Sequence, residues 1–243
     1  MTTLKVPSLQ HLARNWRDTP EKTCEALVRL AINPPNFSYS QIDGLVTDLL
    51  VLKQPLEVVL DAAKRVKRES VRQNFLELLP LIENYFSAAH PDFTQRVSGR
   101  HFPIARGLMV PFNPPLIYGS AGKLCFPWFS YWRSNPLSGK NLSLFITVVD
   151  AVLKQDPDLE DAEFHILDLS ASGAGRSRAL TVIDSSSVER LKPDDLQSSL
   201  AVFAEGFFMA ERKLSSVELT DDVRRQPQSR DSDSQADMFP LDD

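Results

Sequence analysis

Apolar residues recur at helical spacing through the first ninety positions of the chain. Ser8 precedes a short segment with Leu9, Leu12 and Trp16 on one side. Thr19-Pro20-Glu21 then predicts a helix start, with Thr as the cap and Pro in the first helical position. Its apolar face carries Cys24, Leu27, Val28 and Ala31, and Asn33-Pro34-Pro35 stops it. Ser38 and Gln41 stand at capping-box spacing before a helix lined by Ile42, Leu45, Val46, Leu49 and Leu50. Beyond Gln54-Pro55 the pattern predicts a helix through Leu56, Val59, Leu60 and Ala63, then a longer one from Val71 to Phe86. Together they predict an N-terminal helical bundle.

From about 100 the period shortens. Prolines and glycines break the chain into apolar runs at 101–110, 115–118 and 123–132, which predict three strands. Gly119-Ser120-Ala121-Gly122 reads as a hairpin connection, and Pro127 inside its run suggests an edge strand or a bulge. Ser143 to Lys154 is helical in pattern and closes at Asp156-Pro157-Asp158. Glu163–Ala171 and Ser177–Ser185 predict two further strands joined through Ser172-Gly173-Ala174-Gly175-Arg176. Pro193 begins a last helix to about Lys213, with Asp194 and Asp195 at its positive end. Ser215 to Ser234 has no periodicity and reads as a disordered linker. The expected fold is α+β: the helical bundle over 1–95, a mixed or antiparallel sheet with two helices over 96–213, a disordered linker over 214–234 and an acidic tail over 235–243.

The order long helix, three strands, helix, strand resembles the core of the PD-(D/E)xK nuclease superfamily. That resemblance implies an Asp on the second core strand and a Glu/Asp-x-Lys on the third, where carboxylates hold Mg²⁺ and the lysine positions water. Neither 115–118 nor 123–132 contains an acid, so those positions are empty. Asp168 and Asp184 lie on the later hairpin. Pairing about its turn sets Asp168 opposite Ala179 and Asp184 opposite Glu163, which leaves them too far apart to share a metal. There is no Gly-x-Ser-x-Gly, and the Gly173-Ala174-Gly175 turn lacks the Lys-Ser/Thr end of a phosphate loop. No catalytic residue, metal ligand or cofactor is expected.

Composition narrows the classes further. No run of eighteen apolar residues predicts a membrane span and the first residues lack an apolar signal core, so the cytoplasm is the expected compartment. Cys24 and Cys125 have no Cys or His at metal-ligand spacing and read as small buried side chains. The net charge of −5 is carried by residues 214–243, with 3 Lys/Arg against 8 Asp/Glu. The remaining 213 residues are balanced, which argues against nucleic-acid binding over the whole surface. One local excess stands out: Lys64, Arg65, Lys67, Arg68 and Arg72. Lys64, Arg68 and Arg72 fall at helical spacing of four, a phosphate-contacting strip or a solvated face balanced by Glu57, Asp61 and Glu69. Trp128, Phe129, Tyr131 and Trp132, beside Arg133, offer rings for stacking bases or for core packing.

The most specific signal lies in Gln235-Ala236-Asp237-Met238-Phe239. These residues resemble the pentapeptide, glutamine then two variable residues then Leu or Met then Phe, by which bacterial proteins such as the DNA polymerase III alpha subunit bind the replication sliding clamp. The resemblance covers five residues and extends to Leu241. It implies that Gln235 hydrogen-bonds at a pocket entrance while Met238 and Phe239 fill an apolar cleft, each contributing roughly 1.5–3 kcal/mol. Less the cost of ordering the peptide, that corresponds to micromolar affinity. The expectation is a non-catalytic replication or repair accessory factor recruited to the clamp, the body contacting DNA or a second protein. The alternatives are a nuclease-like or other hydrolytic enzyme with an unrecognised site, and a plain protein-interaction module.

Overall fold

The computed structural model describes residues 4–33, 40–171 and 177–225. The protein is α+β, with seven helices and two sheets among the described residues. Five helices come first: α1 (Leu9–Asn15), α2 (Pro20–Ile32), α3 (Ser40–Leu50), α4 (Leu56–Lys64) and α5 (Glu69–Ala89). The Thr19 side chain caps α2, accepting from the Lys22 amide. Ser8 flanks α1 without a side-chain cap, and Ser38 of the expected capping box lies outside the described residues. Helix α5 runs unbroken past Pro80.

The strands are β1 (Phe93–Gln95), β2 (Arg100–Ala105), β3 (Leu108–Phe112), β4 (Ile117–Ser120), β5 (Lys123–Ser130), β6 (Glu163–Asp168) and β7 (Thr181–Asp184). Helix α6 (Gly139–Leu153) joins β5 to β6, and α7 (Pro193–Arg225) follows β7. The large sheet has the order β1-β4-β5-β6-β7, antiparallel except for the β5–β6 pair, and β2–β3 forms a separate antiparallel hairpin. The run expected as one strand over 101–110 is therefore this hairpin, turning at Gly107, whose φ of 81° suits a residue without Cβ. The first of the three expected strands, 101–110, is thus outside the large sheet; with the β2–β3 hairpin inserted between β1 and β4, that sheet and its helices follow the order α5, β1, β4, β5, α6, β6, and α6 is the crossover that a parallel pair requires.

Two details of the sheet differ from the sequence expectation. Pro127 sits in the central strand, not at an edge. It is accommodated because β4 pairs with β5 only from Lys123 to Cys125, so Pro127 falls past the last β4 pair. The β6–β7 register is also two residues off: Asp168 pairs with Thr181 and Asp184 with His165, because the chain leaves β6 at Asp168 and β7 starts only at Thr181.

The sheet divides the core. On one face, Phe126, Trp128, Phe164 and Ile166 pack with α6, α1, α2 and α7; the Phe145 ring lies 4.9 Å from Trp128 and 5.8 Å from Phe164. On the other, Tyr118, Cys125, Phe129 and Leu167 pack with α3, α4 and α5, where Phe86 meets the Tyr118 ring at 5.2 Å. The N-terminal helices thus serve both faces. Helix α7 lies along α2 with Gly206 at the crossing; a Cβ there would meet the Pro20 carbonyl oxygen at 2.7 Å. It continues to Arg225, twelve residues beyond Lys213, into the stretch whose polar composition reads as linker. Among the described residues no helix is long and apolar enough to cross a membrane.

Candidate functional site

Alternation along the strands sends every second residue to the α5 face. At the amino ends of β5 and β6 that face collects Tyr118 from β4, Lys123 and Cys125 from β5, Glu163 and His165 from β6 and Asp184 from β7. The groups are linked. Tyr85, from α5, and Tyr118 share a hydrogen bond between their hydroxyls at 3.1 Å, and the Tyr118 hydroxyl lies 3.4 Å from His165 Nδ1. His165 Nε2 is 3.6 Å from Glu163 Oε2. Glu163 accepts from the Lys123 ammonium through its other oxygen, and the Cys125 thiol stands 3.9 Å from Glu163 Oε2.

The electrostatics follow from that arrangement. Burial, reinforced by the Tyr85 hydrogen bond, holds the Tyr118 phenol well above its ordinary pKa, so it is a neutral donor. Burial and the neighbouring Glu163 push the Cys125 thiol up, which removes the thiolate a nucleophile needs. The Glu163 hydrogen bond and charge raise Lys123, and hydrogen bonds from Ser186 lower Asp184. The set supplies hydrogen-bond donors and an ion pair. It does not supply an activated thiol.

These are the strand positions at which the nuclease resemblance requires acids. The α5-facing side chains of β4 are Tyr118 and Ser120 and those at the start of β5 are Lys123 and Cys125; Glu163, a carboxylate beside them, stands on β6 and is ion-paired. Asp168 and Asp184 are three steps apart along the pairing, about 10 Å, and point to opposite faces. Among the described residues no group of three or more His, Cys, Asp or Glu is placed to hold a metal ion.

The carboxyl ends of β5 and β6 carry a second polar set. Asp168 accepts from Asn135 Nδ2, the Ser170 amide and the Ser170 hydroxyl, each at 3.1 Å. Arg178 is buried and ties three elements together: Nη1 donates to the Tyr131 and Leu169 carbonyls and Nη2 to Asn74 Oδ1, each at 2.9 Å, while Nε faces Glu77 Oε2 at 3.6 Å. The Tyr131 hydroxyl donates to Asp43 Oδ1 at 3.0 Å, and burial pushes the Asp43 carboxyl up to about 6.

The expected basic strip is placed differently. Lys64 closes α4 and Arg72 lies in α5, with Arg68 in extended backbone between them, so Lys64, Arg68 and Arg72 do not share one helical face. Arg72 turns inward, donating to the Val66 carbonyl at 2.9 Å and pairing with Glu69, while Lys64, Arg65, Lys67 and Arg68 remain exposed. The aromatic run is not one stacking surface either: Trp128 packs on the α6 face, Phe129 and Tyr131 on the α5 face, and Trp132 lies under the Arg14 guanidinium. An open groove of about 330 Å³ between α2 and α7 has Glu21 and Glu25 on one wall and Arg212 and Lys213 on the other, charges of opposite sign at an open surface. The clamp-motif residues Gln235, Met238, Phe239 and Leu241 lie outside the described residues, as does the 172–176 turn. The sequence matches no protein-family model and none of the curated proteins.

The ionisable set on the α5 face was not singled out from sequence. Its signature is two short alternations, Lys123-x-Cys125 and Glu163-x-His165, which become one site only through the parallel β5–β6 pairing.

Proposed function

We propose that this chain is a non-catalytic accessory factor of DNA replication or repair, recruited to the bacterial sliding clamp through Gln235, Met238, Phe239 and Leu241. The observation that carries the reading is the pentapeptide Gln235 to Phe239, set in an acidic, polar stretch that offers it no core of its own. The body supports the reading with neutral donors, a buried thiol of raised pKa and saturated ion pairs. A clamp ring presents one pocket per protomer, so a second contact by the body, to DNA or to another protein, raises the overall affinity through effective concentration. The test is co-sedimentation of the full chain with purified clamp from the source organism. Migration with the ring, lost on joint Met238→Ala and Phe239→Ala substitution, supports recruitment; independent migration of the unaltered chain together with no binding of the isolated 229–243 peptide overturns it.

A nuclease-like enzyme is the second reading, and the order α5, β1, β4, β5, α6, β6 with a parallel β5–β6 pair favours it. The lack of any carboxylate on β4 or β5 weighs against it. Divalent-metal-dependent cleavage of DNA by the full chain, abolished by Glu163→Gln, would establish that reading in place of the first.

A further inference from the structure

The corner between α4 and α5 concentrates charge on a body that is otherwise balanced. Lys64, Arg65, Lys67 and Arg68 are all exposed within five positions, and Lys64 pairs with Asp61 at 2.7 Å through side chains each more than 60% exposed. Such a pair is loose and exchangeable. The same corner is also apolar. Val58 is 51% exposed and lies seven residues before Arg65, hence on the same side of α4, with exposed Ala62 between them. A phosphate backbone gains little from exposed Val and Ala. A peptide that alternates carboxylates with apolar anchors gains from both.

The sequence contains such a peptide. Residues 226–243 hold Asp231, Asp233, Asp237, Asp242 and Asp243 against Arg230 alone, and they include Met238, Phe239 and Leu241. Eighteen residues beyond Arg225 span up to about 60 Å when extended. A body of this size has a radius of gyration of about 17 Å and is about 45 Å across, so the outer part of the segment can reach much of its surface.

We propose that the acidic segment 226–243 docks in cis on the α4–α5 corner, with its carboxylates against Lys64, Arg65, Lys67 and Arg68 and its apolar side chains against Val58. The linkage is intramolecular, so weak ion pairs suffice to populate it. Docking withholds Met238 and Phe239 from any other partner. That last consequence rests on the clamp reading; the docking itself does not.

The test uses the full chain with a nitroxide on Ser234→Cys, the native Cys24 and Cys125 being buried, and reads the broadening of backbone amide signals. Apart from the residues flanking the label, at low salt we expect broadening centred on about residues 58–72, reduced several-fold in about 1 M NaCl, where screening is nearly complete. The same signals should sharpen in the Lys64→Glu, Arg65→Glu, Lys67→Glu variant, with the remaining amide shifts unchanged as the check on folding. Broadening that is absent, or spread over the surface, overturns the proposal. So does its appearance in a mixture where label and isotope sit on different chains, which would assign the contact to a second copy. A corner whose amides shift with duplex DNA but are not broadened by the label belongs to nucleic acid and overturns it equally. No clamp is present in this experiment, so a failure of clamp binding leaves its outcome untouched.

Discussion

The two faces of the large sheet are built from the same strands and differ in what those strands send to them. Toward α6, residues such as Phe126, Trp128, Phe164 and Ile166 make a layer of rings and branched chains. Toward α5, the carboxyl half of the sheet is equally apolar at Phe129 and Leu167, but its amino half carries a phenol, a thiol, an imidazole and an ion pair. One face is explained by burial alone. The other adds a linked set of polar groups to an otherwise apolar layer.

Substitutions on the two faces should separate accordingly. The largest loss is expected on the α6 face: Phe164→Ala, at 1% exposure, should cost about 3–5 kcal/mol in denaturant unfolding. Arg178→Met should cost about 3 kcal/mol, because it strands the Tyr131 and Leu169 carbonyls and leaves Glu77 without its buried partner. Asp43 gives a pH signature. Its folded pKa of about 6 stands above the ordinary 3.8, so the stability it contributes is fully present below about pH 4 and is lost as pH rises through 6. Asp43→Asn keeps an acceptor for Tyr131 and removes the buried charge. The variant should match the unaltered chain near pH 4 and exceed it by about 1–3 kcal/mol at pH 8, measured by unfolding at both values. The smallest effect belongs to the polar half of the α5 face: Lys123→Gln, in a pair whose lysine is 64% exposed, should change stability by less than about 1 kcal/mol. A loss at Lys123 as large as that at Phe164 would erase the contrast between the faces.

Much of this architecture was legible. The Thr19-Pro20 start, the periodic helices and the Gly119–Gly122 hairpin are local features, and each formed where local chemistry dictates; Ala121 and Gly122 have the positive φ that a tight hairpin turn requires. What escaped depends on distant pairing. Strand β1 is three residues with one large apolar side chain, too short to leave a periodic trace, and it exists because β4 supplies its partner. Pro127 reads as an edge residue until one knows that β4 ends before reaching it. The strip at Lys64, Arg68 and Arg72 rests on a spacing of four that loses its meaning where the backbone is extended at Arg68. Polar composition beyond Lys213 reads as linker, yet the helix continues to Arg225. The α5-face site joins residues from four strands and a helix, and no single stretch of sequence contains it.

The account turns on residues 235–241. A labelled peptide covering 229–243, titrated with purified sliding clamp beside a Met238→Ala, Phe239→Ala control, should show saturable binding in the micromolar range, about −7 to −8 kcal/mol, and none for the control. Equal binding of the two peptides, or no binding of the first at about a hundred micromolar clamp, would contradict recruitment to the clamp.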